Sequence, residues 1–283
     1  MPSASRCWRR CAPNSVGIRC AGVRDAAYPL PHKATSSTVT TIRTAPTNTR
    51  LAQDAADMVL EAALESHRLR GRFVWFLSGG TTPQLLYRTM AQEAYRSRMP
   101  WAATHVFWGD ERWVPYDDPE SNFRMAYDEL LSHVPIPPRH THPFATMTAT
   151  PNDAAAAAER QLRSLFGLDE PRPDLVLLGL GDDGHTASLF PGSSALLEED
   201  LLFAADHVVK LGQWRLTTTL PLLNAAHNIL FIVAGESKAP AVRQVLEPQP
   251  ETMVLPASLV RPRNGESTWL LDDAAAKLLA TSG

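Results

Sequence analysis

The sequence predicts an α/β fold, a single three-layer domain with a mainly parallel sheet covered by helices on both faces. Three observations carry that reading. Short, nearly continuous apolar runs at Phe73 to Leu77, Leu175 to Leu180 and Asn228 to Val233 read as strands buried on both sides. Segments with apolar residues at helical spacing alternate with these runs. The runs end in polar, glycine-containing loops, and in open α/β sheets ligands sit outside the carboxyl ends of the strands.

Taken in order, residues 35–47 form a Thr-rich entry with a short edge strand around Val39 to Ile42. Leu51, Ala55, Met58, Val59, Ala62 and Ala63 recur at helical spacing, with Asn48 or Thr49 as N-cap and Gly71 after the helix. After the Phe73–Leu77 strand, Ser78-Gly79-Gly80-Thr81-Thr82-Pro83 leads into a helix, with Thr82 suited to N-cap and Pro83 to its first position. His105 to Trp108 is a further strand, ending in Asp110-Glu111-Arg112. A helix through Phe123, Tyr127 and Leu130 is capped by Ser121 or Asn122 and stops before Pro135. Another, through Ala155, Ala158, Leu162 and Phe166, ends at Gly167. The Leu175 strand opens into Gly181-Asp182-Asp183-Gly184-His185, and the Asn228 strand into Gly235-Glu236-Ser237-Lys238 and a helix to Leu246. Thr268 to Leu271 is a short last strand, after which Asp272 caps a closing Ala/Leu helix.

Composition narrows the function. The 283 residues carry a formal net charge of -3, with 44% hydrophobic and 20% charged residues. That balance argues against a dominant role on nucleic acid or a membrane surface. No run approaches the roughly 18 apolar residues of a membrane span. Cys7, Cys11 and Cys20 all precede residue 35, so the domain has no disulfide framework or cysteine nucleophile, which fits a reducing, cytoplasmic setting. With His32 they make a weak zinc pattern, because their spacing is irregular. Residues 1–34 hold six basic residues against Asp25 alone and show no apolar periodicity. They read as an extension outside the domain at 35–283: a transit-like leader, a disordered tail, or sequence upstream of the true start.

Four polar segments carry the chemistry. Ser78, Gly79, Gly80 and Thr81 are built as an anion site, in which glycines admit a ligand to the backbone and the helix start offers free N–H groups. The spacing is that of neither a nucleotide P-loop nor a dinucleotide fingerprint, so a monophosphate ester suits it better. Asp110, Glu111 and Arg112 place charge at a strand end. His185 is the one histidine of nine in a glycine-flanked loop directly after a buried strand. Arg215, in Arg-Leu-Thr-Thr-Thr, and Lys238 are cations that complete a phosphate pocket if they lie near the glycine loop. Each feature alone is also compatible with an ordinary turn or a solvated surface charge.

Together, Ser-Gly-Gly-Thr-Thr-Pro at 78–83, Asp-Glu-Arg-Trp-Val-Pro at 110–115 and Gly-Leu-Gly-Asp-Asp-Gly-His-Thr-Ala-Ser-Leu-Phe-Pro-Gly at 179–192 resemble the 6-phosphogluconolactonase family. Arg215 with its Thr run, Gly235-x-x-Lys238 and Trp-Leu-Leu-Asp at 269–272 extend the resemblance over about residues 40–283. It implies a Rossmann-like domain that hydrolyses 6-phospho-D-glucono-1,5-lactone without a metal or organic cofactor, acting on a small molecule as a monomer or weak homo-oligomer. It implies His185 as the base that activates water, Asp183 holding the imidazole, and Arg112 stabilising negative charge with Asp110 orienting it. It implies Ser78, Gly79, Gly80 and Thr81 around the phosphate, with Arg215 and Lys238 as cationic partners.

Two other readings compete. The related amino-sugar-phosphate isomerase/deaminase family carries a further catalytic acid after its loop histidine, whereas Thr186 to Pro191 supplies none. That family also has an aromatic residue where Arg112 stands. A sugar-phosphate sensor needs a helix-turn-helix, and residues 1–45 offer none. Because residues 1–34 contain all the cysteines and no periodic apolar face, a chain starting at Thr35 is expected to fold and act as the full chain does. Solubility and specific activity of the two check this, and loss of most activity on deletion would show that the segment packs on the domain.

Overall fold

The computed structural model describes residues 39–148 and 150–280. The strands are β1 (Val39–Ala45), β2 (Phe73–Leu77), β3 (Thr104–Trp108), β4 (Asp110–Arg112), β5 (Thr141–His142), β6 (Leu175–Leu178), β7 (Phe203–Val208), β8 (Gln213–Thr218), β9 (Asn228–Val233) and β10 (Glu266–Asp272). The α-helices are α1 (Asn48–Arg70), α2 (Thr81–Met90), α3 (Glu93–Arg96), α4 (Asn122–Glu129), α5 (Pro151–Phe166), α6 (Leu220–Leu223), α7 (Ala239–Leu246) and α8 (Asp273–Ala276). The expected extension at 1–34, its cysteines and the domain boundary at 34/35 lie outside the described residues.

Seven strands form one sheet in the order β1-β10-β9-β6-β2-β3-β5, and every neighbouring pair is parallel. Every residue of β2 and β6 is buried, as only a sheet covered on both faces allows. Aromatic stacking fills the core. Phe76 lies on Phe107 with ring centroids 5.2 Å apart, and Phe231 on Trp269 at 3.8 Å. The chain runs outward from β2 through β3 to β5, then returns to lay β6 against the other side of β2. In such sheets the ligand crevice lies at the reversal, here outside the carboxyl ends of β2 and β6.

A second sheet, β4-β8-β7, is antiparallel and was not expected from the sequence. Asp110 to Arg112 is therefore a strand rather than a loop, and Arg215 sits on its central partner. Two helix starts also differ from expectation. The α1 cap is Thr47, whose Oγ1 accepts from the Arg50 N–H at 3.2 Å, in place of Asn48 or Thr49. Helix α2 begins at Thr81 without a side-chain cap, because Gly80 at φ 106° turns the chain into it before Thr82 can serve. The α-helix α4, capped by Ser121, ends at Glu129, and a single tighter turn at Leu131–His133 continues toward Pro135. Strand β6 ends at Leu178, so Gly179 and Leu180 already belong to the loop.

Asp174, buried just before β6, ties the helical layer to the sheet. Its Oδ2 accepts from the Val74 N–H at 2.6 Å, and its Oδ1 accepts from Arg70 Nε at 2.7 Å. Replacement by alanine strands both donors, and leaving a buried donor unpaired costs about 1–3 kcal/mol. Asp174→Ala is expected to lower the urea-unfolding free energy by about 2–4 kcal/mol. Folded variant is expected to keep wild-type KM, since Asp174 lies at the opposite end of the sheet from the crevice; an unchanged urea midpoint would contradict the role.

Candidate active site

The loop leaving β2 is held rigidly at its start. The buried Tyr87 hydroxyl accepts from the Ser78 N–H at 2.9 Å and donates to the Ser78 carbonyl at 2.8 Å. Burial pushes this phenol far above its ordinary range, so it stays protonated and can keep donating. Gly79 is required sterically, since a Cβ there would lie 2.0 Å from Asn122 Oδ1. Beyond the lock, the N–H groups of Gly79, Gly80, Thr81 and Thr82 have no acceptor among the described residues. They start a ten-residue helix, where partial positive charge favours an anion. The Ser78 N–H is committed to Tyr87 and its Oγ donates to the Gly79 carbonyl at 3.3 Å, so the hydroxyl is the group that Ser78 can turn to a ligand.

Strand β4 divides its charges between structure and site. Glu111 is buried and accepts from the backbone N–H groups of Arg112, Asn122 and Phe123, each at 2.8 Å, and from Ser121 Oγ at 3.2 Å. It anchors the start of α4. Burial raises its pKa against the pull of those hydrogen bonds. Asp110 Oδ2 accepts from Ser188 Oγ at 2.7 Å, and Asn122 Nδ2 donates to the Asp110 carbonyl at 2.9 Å. The expectation that Asp110 orients Arg112 is therefore corrected. The Arg112 guanidinium is held by the Glu120 carbonyl, 2.6 Å from Nη1, because Asp110 faces the neighbouring loop and is already occupied.

Arg112 and Arg215 stand directly opposite each other across β4 and β8. Directly opposed side chains share a face, and like charges there repel. Burial and then Arg112 itself depress the Arg215 pKa. Arg112 Nε and Arg215 Nη1 are buried without a hydrogen-bond partner among the described residues. Two crowded guanidiniums with spare donors are complementary to an anion.

The loop after β6 is a tight turn closed by Gly181 N–H to the His185 carbonyl at 2.8 Å and Gly184 N–H to the Gly181 carbonyl at 2.9 Å. Gly181 must lack a side chain, because a Cβ would meet His185 Nδ1 at 2.0 Å. His185 Nδ1 lies 2.5 Å from Asp183 Oδ1, so the proton belongs on Nδ1 and Nε2 is left as an acceptor. The ring rests on Phe190 with centroids 4.2 Å apart. Burial opposes ionisation of Asp183, but hydrogen bonds from Lys210 and His185 outweigh it and hold the carboxyl well below the usual range. Just beyond, Ala187 adopts a positive φ of 48°, the one such non-glycine residue among those described, and places Ser188 on Asp110.

Lys238 is engaged by a carboxylate of the neighbouring loop. Its Nζ lies 2.8 Å from Asp182 Oδ1, and its hydrogen bond holds that carboxyl below the usual range. It thus joins the loops after β6 and β9. Lys210 was missed by sequence reading: it is an exposed residue in a hairpin turn with no motif around it, and only the three-dimensional pairing with Asp183 marks it. Among the described residues, no cluster of three or more His, Cys, Asp or Glu is arranged to hold a metal ion.

The family model for glucosamine-6-phosphate isomerases/6-phosphogluconolactonase matches residues 46–269. A 6-phosphogluconolactonase of Synechocystis sp. is 45% identical over 213 residues, which span 74% of this chain and 86% of that protein. One from Nostoc sp. is 40% identical over 243 residues, spanning 85% of this chain and 98% of that protein. The solved structure of 6-phosphogluconolactonase from Trypanosoma brucei superposes with a TM-score of 0.76 at 31% identity, covering 86% of this chain and 100% of that one. With the family model matched over residues 46–269 and a relative 45% identical over 213 residues, the chain belongs to the glucosamine-6-phosphate isomerase/6-phosphogluconolactonase family.

Proposed function

We infer that the chain hydrolyses 6-phospho-D-glucono-1,5-lactone to 6-phospho-D-gluconate, the second step of the oxidative pentose phosphate pathway. The observation that carries the reading is the Asp183–His185 pair at the sheet reversal, with Nδ1 engaged and Nε2 making no hydrogen bond among the described residues. No acidic residue follows His185 in Thr186 to Pro191, which favours the lactonase over the deaminase branch of the family. The relatives named 6-phosphogluconolactonase support the same substrate.

In the proposed reaction, His185 Nε2 takes a proton from water as the water oxygen attacks the lactone carbonyl carbon. Arg112, with a buried N–H to spare, stabilises the tetrahedral oxyanion. Collapse breaks the bond to the ring oxygen, and the imidazolium returns its proton to that oxygen. Asp183 keeps Nδ1–H in place throughout and stabilises the imidazolium that forms. The phosphate sits on the N–H groups of Gly79, Gly80 and Thr81 with the Ser78 hydroxyl beside it. Arg215 neutralises it, and Lys238 joins by exchanging Asp182 for the phosphate. The step as written uses no metal or organic cofactor. A cytoplasmic location, and a monomer or weak homo-oligomer, complete the proposal; no helix among the described residues is long and apolar enough to cross a membrane.

Freshly prepared lactone, assayed against the uncatalysed rate with glucosamine 6-phosphate as control, tests the reaction. Deamination without lactone hydrolysis would overturn it. Arg215→Ala is expected to raise KM roughly ten- to a hundredfold, the worth of a charge-assisted contact of about 1.5–3 kcal/mol. Hydrolysis of unphosphorylated gluconolactone with equal efficiency would contradict the phosphate pocket. His185→Ala is expected to lower kcat by about 10²–10⁴-fold while the fold is kept. In the wild type, kcat/KM falls on the acid side as the imidazole of the free enzyme gains a proton, and that limb disappears in the variant. A variant retaining wild-type kcat would remove His185 from the mechanism.

A further inference from the structure

Lys210 lies in the single turn Val209–Leu211 joining β7 to β8, far in sequence from the loop it touches. Its ammonium is bonded to Asp183 Oδ2, the oxygen that His185 does not use. The same ammonium sits over the Phe190 ring, 4.5 Å from its centre, and the other side of the story is His185, whose ring also rests on Phe190. One carboxylate and one phenyl ring are thus shared between a fixed cation and an imidazole. The other charged groups around this loop are engaged elsewhere: Asp110 with Ser188 and Asn122, and Asp182 with Lys238 and Ser237.

The geometry has two consequences. A carboxylate bonded through one oxygen can rotate, whereas one bonded through both is fixed, and so is the imidazole plane that it orients. A carboxylate already facing an ammonium also offers less negative potential to the ring, which disfavours the imidazolium. A lysine half in solvent is enough for both. We propose that Lys210 is a positioning residue for His185, fixing the Asp183 carboxylate from its far side and limiting the charge that this carboxylate presents to the imidazole. The role rests on the lactonase reading for its kinetic expression but not for its electrostatics.

The test compares wild type, Lys210→Met and Lys210→Arg. Loss of a unit charge held across one carboxylate from the ring, through largely aqueous surroundings, moves a titration by about 0.5–1 pH unit. In Lys210→Met the acid limb of kcat/KM is expected to shift upward by that amount, with kcat on the plateau reduced roughly tenfold through looser orientation. Lys210→Arg, which keeps the cation, restores the limb and most of kcat. NMR titration of the His185 imidazole, assigned by its loss in His185→Ala, reads the same upward shift with no substrate present. A limb and an imidazole titration that stay where they are in Lys210→Met overturn the proposal. So does a raised KM with unchanged kcat and limb, which would make Lys210 a substrate contact. A wild-type chain without lactonase activity would defeat the functional reading instead, and the NMR shift would still decide the role of Lys210.

Discussion

The Asp110 carboxylate and the Asn122 amide hold the site together. Asp110 is nearly buried, and its Oδ2 receives the Ser188 hydroxyl at 2.7 Å from the histidine loop. Asn122 donates to the Asp110 carbonyl at 2.9 Å while its Oδ1 occupies the space that a side chain on Gly79 would need. A strand end, a helix start and two loops from different parts of the chain therefore converge on a few polar atoms. Such contacts contribute only about 0.5–1.5 kcal/mol each to stability, but leaving any of these buried groups unpaired costs more. What they provide is registration of the Gly79–Gly80 loop against the His185 loop.

The small antiparallel sheet depends on that registration. Strand β4 emerges directly from β3, and its pairing with β8 sets Arg112 opposite Arg215. Two like charges so placed repel, and each guanidinium has a buried N–H with no hydrogen-bond partner among the described residues. The hairpin that continues β8 into β7 carries Lys210 to the far side of Asp183. One three-stranded unit thus sets Arg215 beside Arg112 and Lys210 against Asp183. The large sheet supplies the crevice and the loops that close it.

Much of the framework was legible because its physics is local or periodic. Runs such as Phe73–Leu77 and Asn228–Val233 must be buried on both faces, and Gly71 and Gly167 stop helices where expected. The glycine-framed His185 loop and its Asp183 partner were likewise readable, since both lie within three residues of each other. The second sheet was not. Asp-Glu-Arg and Gln-Trp-Arg-Leu-Thr-Thr have no apolar run, and their strand character comes from pairing with each other across about a hundred residues. The same blindness to long-range pairing assigned Asp110 to Arg112 instead of Ser188, and passed over Lys210. Lys238 was recognisable as a cation after a strand, but its bond to Asp182 depends on two loops meeting.

The central claim is that the β2 loop, the arginine pair and the His185 loop form one site with a fixed polarity. A crystal structure of the chain with 6-phosphogluconate, the product of the proposed reaction, tests it most directly. The account predicts the phosphate on the N–H groups of Gly79 to Thr81 with Arg215 beside it, and the carboxylate within hydrogen-bond distance of His185 Nε2 and Arg112. Phosphate bound at His185 with the carboxylate on the glycine loop, or product held away from both loops, would contradict it.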